Sequence, residues 1–141
     1  MLRRFIGFGS LLAFVAILLI APRISRADDK SALTFDMFQD KGKEFRWRLK
    51  QGDDILATSG QGYKVKESCK KGIEGIKKGL ANDKDTFEVY QDNAKAYRWR
   101  LKASNGQVVA AANKGFKTKA ECEKVVDLIK KEAPKAAVVE E

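Results

Sequence analysis

From about residue 34 the chain alternates apolar and polar positions in short runs, switches to a helical period, and then repeats the whole order. Phe35 and Met37 alternate with Thr34 and Asp36, and Phe45, Trp47 and Leu49 alternate with Arg46, Arg48 and Lys50. A period of two is the signature of strands with one packed and one wet face. A polar turn at Asp40 to Lys43 separates these runs, and Gly52-Asp53-Asp54 leads into a third, Ile55-Leu56-Ala57. Cys69, Ile73 and Ile76 then recur at the spacing of an amphipathic helix. The second pass reads Phe87 and Val89, a turn at Asp92 to Lys95, and Tyr97, Trp99 and Leu101 against Arg98, Arg100 and Lys102. Asn105-Gly106, a turn of the kind that needs positive φ, leads into Val108-Val109-Ala110. A helix carrying Cys122, Val125, Val126 and Ile129 follows, opened by a capping box of Thr118 and Glu121.

The two passes are copies of one unit. A shift of 52 residues lays Phe35–Asp40 on Phe87–Asp92 and Phe45–Lys50 on Tyr97–Lys102. One extra residue in the second copy makes the shift 53, after which Gly62-Tyr63-Lys64, Cys69 and Ile76 meet Gly115-Phe116-Lys117, Cys122 and Ile129. Every aromatic beyond residue 27 has its counterpart. Each copy alone is near the lower size limit for a stable core, so the pattern predicts one α+β domain rather than two. The expected architecture is two tandem β-β-β-α repeats about a pseudo-two-fold, with a single largely antiparallel sheet and both helices on one face. The expected segments are a linker at 28–33, repeats at 34–79 and 86–132, a linker at 80–85, and a tail at 133–141 that either frays or adds a short strand.

Aromatic-Arg-Trp-Arg-Leu-Lys, then Asn-Gly-x-Val-Val-Ala, then Gly-Phe-Lys-x-Lys and a short helix resembles the YegP-like family of small tandem-repeat proteins. The resemblance covers both copies, from about Phe35 to Lys131. It implies repeats joined in one sheet with helices packed on it and a C-terminal strand exchanged between the halves, which gives Ala136 to Val139 a strand role. It supplies no catalytic residue and no cofactor.

Ahead of the repeats, Arg3 and Arg4 precede an apolar run from Phe5 to Ala21, and Ser25 and Ala27 place small residues where a signal peptidase reads. Residues 1–27 are therefore expected to be a secretory signal peptide that sends the protein to the periplasm or outside the cell. An uncleaved signal would instead be its only tie to the membrane. The chain carries 28 Lys and Arg against 19 Asp and Glu, a net charge of +9, and four of the arginines lie in that leader. The remaining domain is only moderately basic.

Strand parity turns Trp47 and Trp99 toward the helices and leaves Arg46, Arg48, Lys50, Arg98, Arg100 and Lys102 on the open face, with Phe38 and Tyr90 beside them. Two readings stand. Six cations and two aromatics form a candidate anion-binding face for an acidic polymer such as an envelope glycan or extracellular nucleic acid. Alternatively the cations form a cross-strand ion ladder, for which Asp36 and Glu88 are the acids on the same face, leaving a surplus of four. Cys69 and Cys122 hold equivalent helical positions and are either buried free thiols or a disulfide in an oxidising compartment. Gly72, Gly75 and Gly79 occupy the first helix where the second has Val125, Leu128 and Glu132, which predicts a softer first helix.

Candidate chemistry is sparse. The chain has no His and two Cys, so the commonest general base and a four-thiolate zinc site are both excluded. No Cys-x-x-Cys, phosphate-binding glycine loop or nucleophile motif occurs. The expected function is accordingly non-enzymatic: an exported binding module acting through its basic sheet face, or alternatively a self-assembling module that forms homo-oligomers by strand exchange.

Overall fold

The computed structural model describes residues 32–141, so the expected leader and most of the 28–33 linker lie outside the described residues. Repeat one folds as β1 (Leu33–Gln39), β2 (Phe45–Gln51), β3 (Asp54–Ser59) and α1 (Lys66–Ala81). Repeat two folds as β4 (Thr86–Gln91), β5 (Tyr97–Lys102), β6 (Val108–Ala112) and α2 (Lys119–Glu132). A turn of 3-10 helix at Ala133–Lys135 then leads to β7 (Ala137–Glu140). Helix α1 runs two residues past the expected repeat boundary at residue 79, because the chain leaves it through Asn82 and Asp83, the latter at φ 52°.

All seven strands form one sheet in the order β4-β5-β6-β3-β2-β1-β7, antiparallel throughout except for β7, which runs parallel to β1. The repeats meet where β3 pairs β6, with Ala57 opposite Ala112, Thr58 opposite Ala111 and Ser59 opposite Ala110. Since Thr58 and Ala111 are counterparts, the pseudo-two-fold passes between them. Local detail obeys the same symmetry. A bulge falls at Leu49/Lys50 and again at Leu101/Lys102, and the bridge between Phe45 and Tyr63 recurs between Tyr97 and Phe116. Lys43 and Lys95 close their hairpins at the same φ of 62°. The second hairpins differ as the extra residue requires: Gly52 takes φ 58° in the shorter turn and Gly106 takes 84° in the longer.

One face of the sheet carries the core. Phe35, Met37, Trp47, Leu49, Trp99 and Leu101 are buried there beneath Cys69, Ile73 and Ile76 of α1 and Cys122, Val126 and Ile129 of α2. Phe35 meets Trp47 edge-on at 5.2 Å, and Phe87 meets Trp99 the same way at 5.3 Å. Helix α1 rests on β2, while α2 rests on β4 and β5. Each helix therefore covers its own half of the sheet, on its own side of the axis. That placement decides the cysteine question: Cys69 and Cys122 are free and fully buried, so the disulfide entertained from the sequence is not formed. Burial also pushes both thiols above their ordinary pKa, with Glu123 adding to the shift at Cys122.

Candidate functional site

The helix-free face displays every cation expected there, but with more acids than strand parity alone assigns. In repeat one, Arg46 Nε donates to Asp40 Oδ2 at 2.6 Å, and Arg46 Nη2 reaches Glu44 at 3.4 Å. Arg48 Nε donates to Asp36 at 2.9 Å and Arg48 Nη2 to Glu141 at 2.5 Å, while Lys50 lies 3.7 Å from Asp36. In repeat two, Arg98 Nε donates to Asp92 at 2.7 Å. Arg100 and Lys102 share Glu88 at 2.6 and 2.9 Å. The expected surplus of four is thus corrected. The hairpin acids Asp40 and Asp92 bend back onto the arginines that follow them, and β7 carries Glu141 to Arg48.

The hairpins explain why Asp40 and Asp92 are fixed. Asp40 Oδ1 accepts from the Glu44 backbone N–H at 3.0 Å, and Asp92 Oδ1 accepts from those of Ala94 and Ala96 at 2.9 and 3.0 Å. With one carboxylate oxygen held by the turn, the other is aimed at the arginine. Arg46 and Arg98, with these backbone donors, hold the two carboxyls below the usual range. Lys102 and Arg100 do the same for Glu88. Each aromatic of the face lies under an arginine: Arg48 stands 4.7 Å from the Phe38 ring centroid and Arg100 5.1 Å from that of Tyr90. Phe38 is half-buried, and Tyr90 is 38% exposed.

The two halves of this face are unequal in charge. In repeat one, Arg46, Arg48 and Lys50 meet four acids, namely Asp36, Asp40, Glu44 and Glu141. In repeat two, the acids among the described residues that Arg98, Arg100 and Lys102 meet are Asp92 and Glu88 alone. Ala96 stands where repeat one has Glu44, and among the described residues no strand flanks β4 as β7 flanks β1. The positive excess of the face is therefore confined to repeat two. Position-by-position parity could not find this, because Glu141 follows a strand whose neighbour is fixed only by the finished topology.

A second feature is a cleft of about 480 Å³ between α1 and the β5–β6 turn, lined in part by Tyr63, Gly72, Gly75, Gly79, Asp85 and Asn105. A Cβ on Gly72 would come within 2.5 Å of the Tyr63 hydroxyl, and one on Gly79 within 2.2 Å of the Asp85 carboxylate. Nothing lies within 4 Å at Gly75. Two of the three glycines are thus packing positions rather than weaknesses. Among the described residues no three His, Cys, Asp or Glu side chains stand together as a metal site, and no helix is long and apolar enough to cross a membrane.

Comparison with known proteins places this architecture. The family described as "Domain of unknown function (DUF1508)" matches twice, over residues 40–84 and 92–140. A UPF0339 protein encoded in the ptx operon 5' region of Stutzerimonas stutzeri is 36% identical over 107 residues, covering 76% of this chain and 95% of that protein. A UPF0339 protein of Treponema denticola is 44% identical over 54 residues, which is 38% of this chain and 91% of that protein, so a single repeat nearly spans it. The solution structure of the E. coli protein of unknown function yegP superposes with a TM-score of 0.66 at 22% identity, covering 77% of this chain and 92% of that one. Doubled motif, doubled match and shared fold agree: the chain belongs to the DUF1508 family, the YegP-like UPF0339 proteins, and carries two copies of its domain.

Proposed function

We propose that the protein is an exported, non-enzymatic binding module that grips acidic polymers, an envelope glycan or extracellular nucleic acid, through the repeat-two half of its helix-free face. The observation that carries this reading is the charge imbalance there, three cations on two acids, beside three cations on four acids in repeat one. Arg100 gives its Nε to Glu88 and lies over the Tyr90 ring, and its side chain stays 43% exposed beside a half-exposed phenol. A fork donor next to an aromatic surface suits phosphate, sulfate or carboxylate groups spaced along a chain. The export half of the proposal is supported by the charged, apolar and small-residue order of residues 1–27.

The test is binding to a defined polyanion, inorganic polyphosphate and single-stranded DNA in parallel, followed across salt. Contact with about three phosphates gives log-affinity a salt slope of roughly −2 to −3. Replacing Arg98, Arg100 and Lys102 together by Gln is expected to abolish binding, whereas the same change at Arg46, Arg48 and Lys50 leaves it near the parent's. Equal loss from both triples, or none from the first, refutes the assignment to repeat two.

A further inference from the structure

Among the described residues no strand lies beside the outer edge of β4, whereas its counterpart β1 is flanked by β7. The consequence is visible in the side chains. Phe35 and Met37 are each 1% exposed, while their counterparts Phe87 and Val89 are only half-buried. Such an edge is normally blunted by lysine, proline, a bulge or a covering element. Strand β4 reads Thr-Phe-Glu-Val-Tyr-Gln with unbroken register against β5, and its single charge, Glu88, is turned onto Arg100 and Lys102. The opposite sheet edge is blunted, since β7 ends in Glu140 and Glu141 follows it.

We infer that the β4 edge pairs with the β4 edge of a second copy, antiparallel about Val89, to give a two-fold dimer with one continuous sheet. The pattern of charges selects this partner. Antiparallel pairing places residues of one face opposite each other, so the register that sets Val89 against Val89 also sets Phe87 against Gln91 and Glu88 against Tyr90. Val89 meets Val89, each Phe87 lies diagonally beside the second copy's Val89, and each Glu88 keeps its own cations. Sliding by two residues to bring Glu88 opposite Glu88 juxtaposes like charges. Adding the β7 edge of a second copy instead sets Glu140 and Glu141 near Glu88 and Glu123, where repeat one offers Lys70 in the place of Glu123. That arrangement is also heterologous and open-ended, whereas β4 against β4 closes on itself.

Pairing of two six-residue strands lies at the small end of protein interfaces, so the dimer is weak and concentration-dependent. Its two-fold runs perpendicular to the sheet and lays the repeat-two cations of both copies side by side. The dimer itself does not rest on polyanion binding.

Sedimentation of the full chain from about 10 µM to about 1 mM is expected to show the mass rising from one copy toward two. Val89→Lys is expected to hold it at one copy throughout without changing the far-ultraviolet spectrum, and Val139→Lys on β7 to leave the association intact. Cross-linking fixes the register. Val89→Cys, in a chain whose own thiols are buried, is expected to form a covalent dimer on mild oxidation, and Tyr90→Cys, on the opposite face, to do so at least tenfold more slowly. A parent that stays monomeric over the whole range with no Val89→Cys cross-link overturns the inference. So does covalent pairing of Val89→Cys with Val138→Cys in a mixture, which would show β4 meeting β7, or equal cross-linking of Val89→Cys and Tyr90→Cys.

Discussion

Repeat one and repeat two place the same aromatic pair in the same geometry, yet only one pair is sealed from solvent. Phe35 and Trp47 lie edge to face at 5.2 Å, Phe87 and Trp99 at 5.3 Å, and both tryptophans are 1% exposed. The difference is Phe87, half-buried at a bare sheet edge where Phe35 lies under β7. Burial of a motif residue is therefore set by what the chain does after the motif ends. A duplicated sequence gives a duplicated sheet, and one unduplicated strand then makes the halves inequivalent in both packing and charge.

The largest expected effect breaks that comparison at the aromatic pair. Phe35→Ala empties a fully enclosed site and is expected to cost about 3–5 kcal/mol, while Phe87→Ala, whose ring already meets water, costs about half as much. Urea unfolding of both variants checks this, and equal losses would mean that β7 does not seal the first pair. Removing residues 137–141 attacks the seal directly. It deletes the ladder to β1, the Glu141 amide bond to the Met37 carbonyl at 3.0 Å, and the ion pairs of Glu140 with Lys66 and of Glu141 with Arg48. A loss on the order of 2 kcal/mol is expected, with amide exchange in β1 rising to the level of β4.

Most of the fold was legible in the sequence for a physical reason: strand alternation and helical period are local, and each was written twice. Trp47 and Trp99 could be assigned to the core, and Arg46, Arg48, Lys50 and their counterparts to the open face, from parity alone. The partners of those cations could not. Asp40 reaches Arg46 only because Lys43 turns left-handed and folds the hairpin back, and Glu141 reaches Arg48 only because β7 crosses to the far edge. The same limit governs the glycines of α1. Period and propensity mark Gly72, Gly75 and Gly79 alike as weak, and only tertiary neighbours separate them.

The helices sharpen the comparison at a smaller scale. Gly75 has open space where a Cβ would go, so Gly75→Ala is expected to stabilise by about 1 kcal/mol. Gly72→Ala must displace the Tyr63 ring and is expected to destabilise despite the same gain in propensity. Thr118 Oγ1 accepts from the Glu121 amide at 3.2 Å, whereas Val65 occupies the same extended N-cap position in α1 with no side-chain acceptor. Val65→Thr is accordingly expected to add about 0.5–1 kcal/mol and to slow exchange in the first turns of α1 toward the rate in α2.

The smallest effect tests where the halves are alike. Asp40 and Asp92 sit in matching hairpins, and each is held below its ordinary pKa first by the arginine six residues on and then by backbone amides. Glu88 is lowered by Lys102 and Arg100, and Glu140 by Lys66. A carboxylate whose folded pKa lies below its unfolded one stabilises the fold at pH above the unfolded value, and that contribution is lost as pH falls through the folded value. Stability is therefore expected to be flat near neutrality and to decline as pH drops below about 4. Asp85 opposes this trend. Burial raises its pKa, so its ionisation weakens the fold as pH rises through the carboxylate range, and Asp85→Asn is expected to raise the melting temperature at pH 7. Asp40→Asn and Asp92→Asn should shallow the acid decline equally, since each aspartate is held by its own arginine and turn amides in the same way. A clear inequality between them would show that the asymmetry of the sheet edges reaches the hairpins as well.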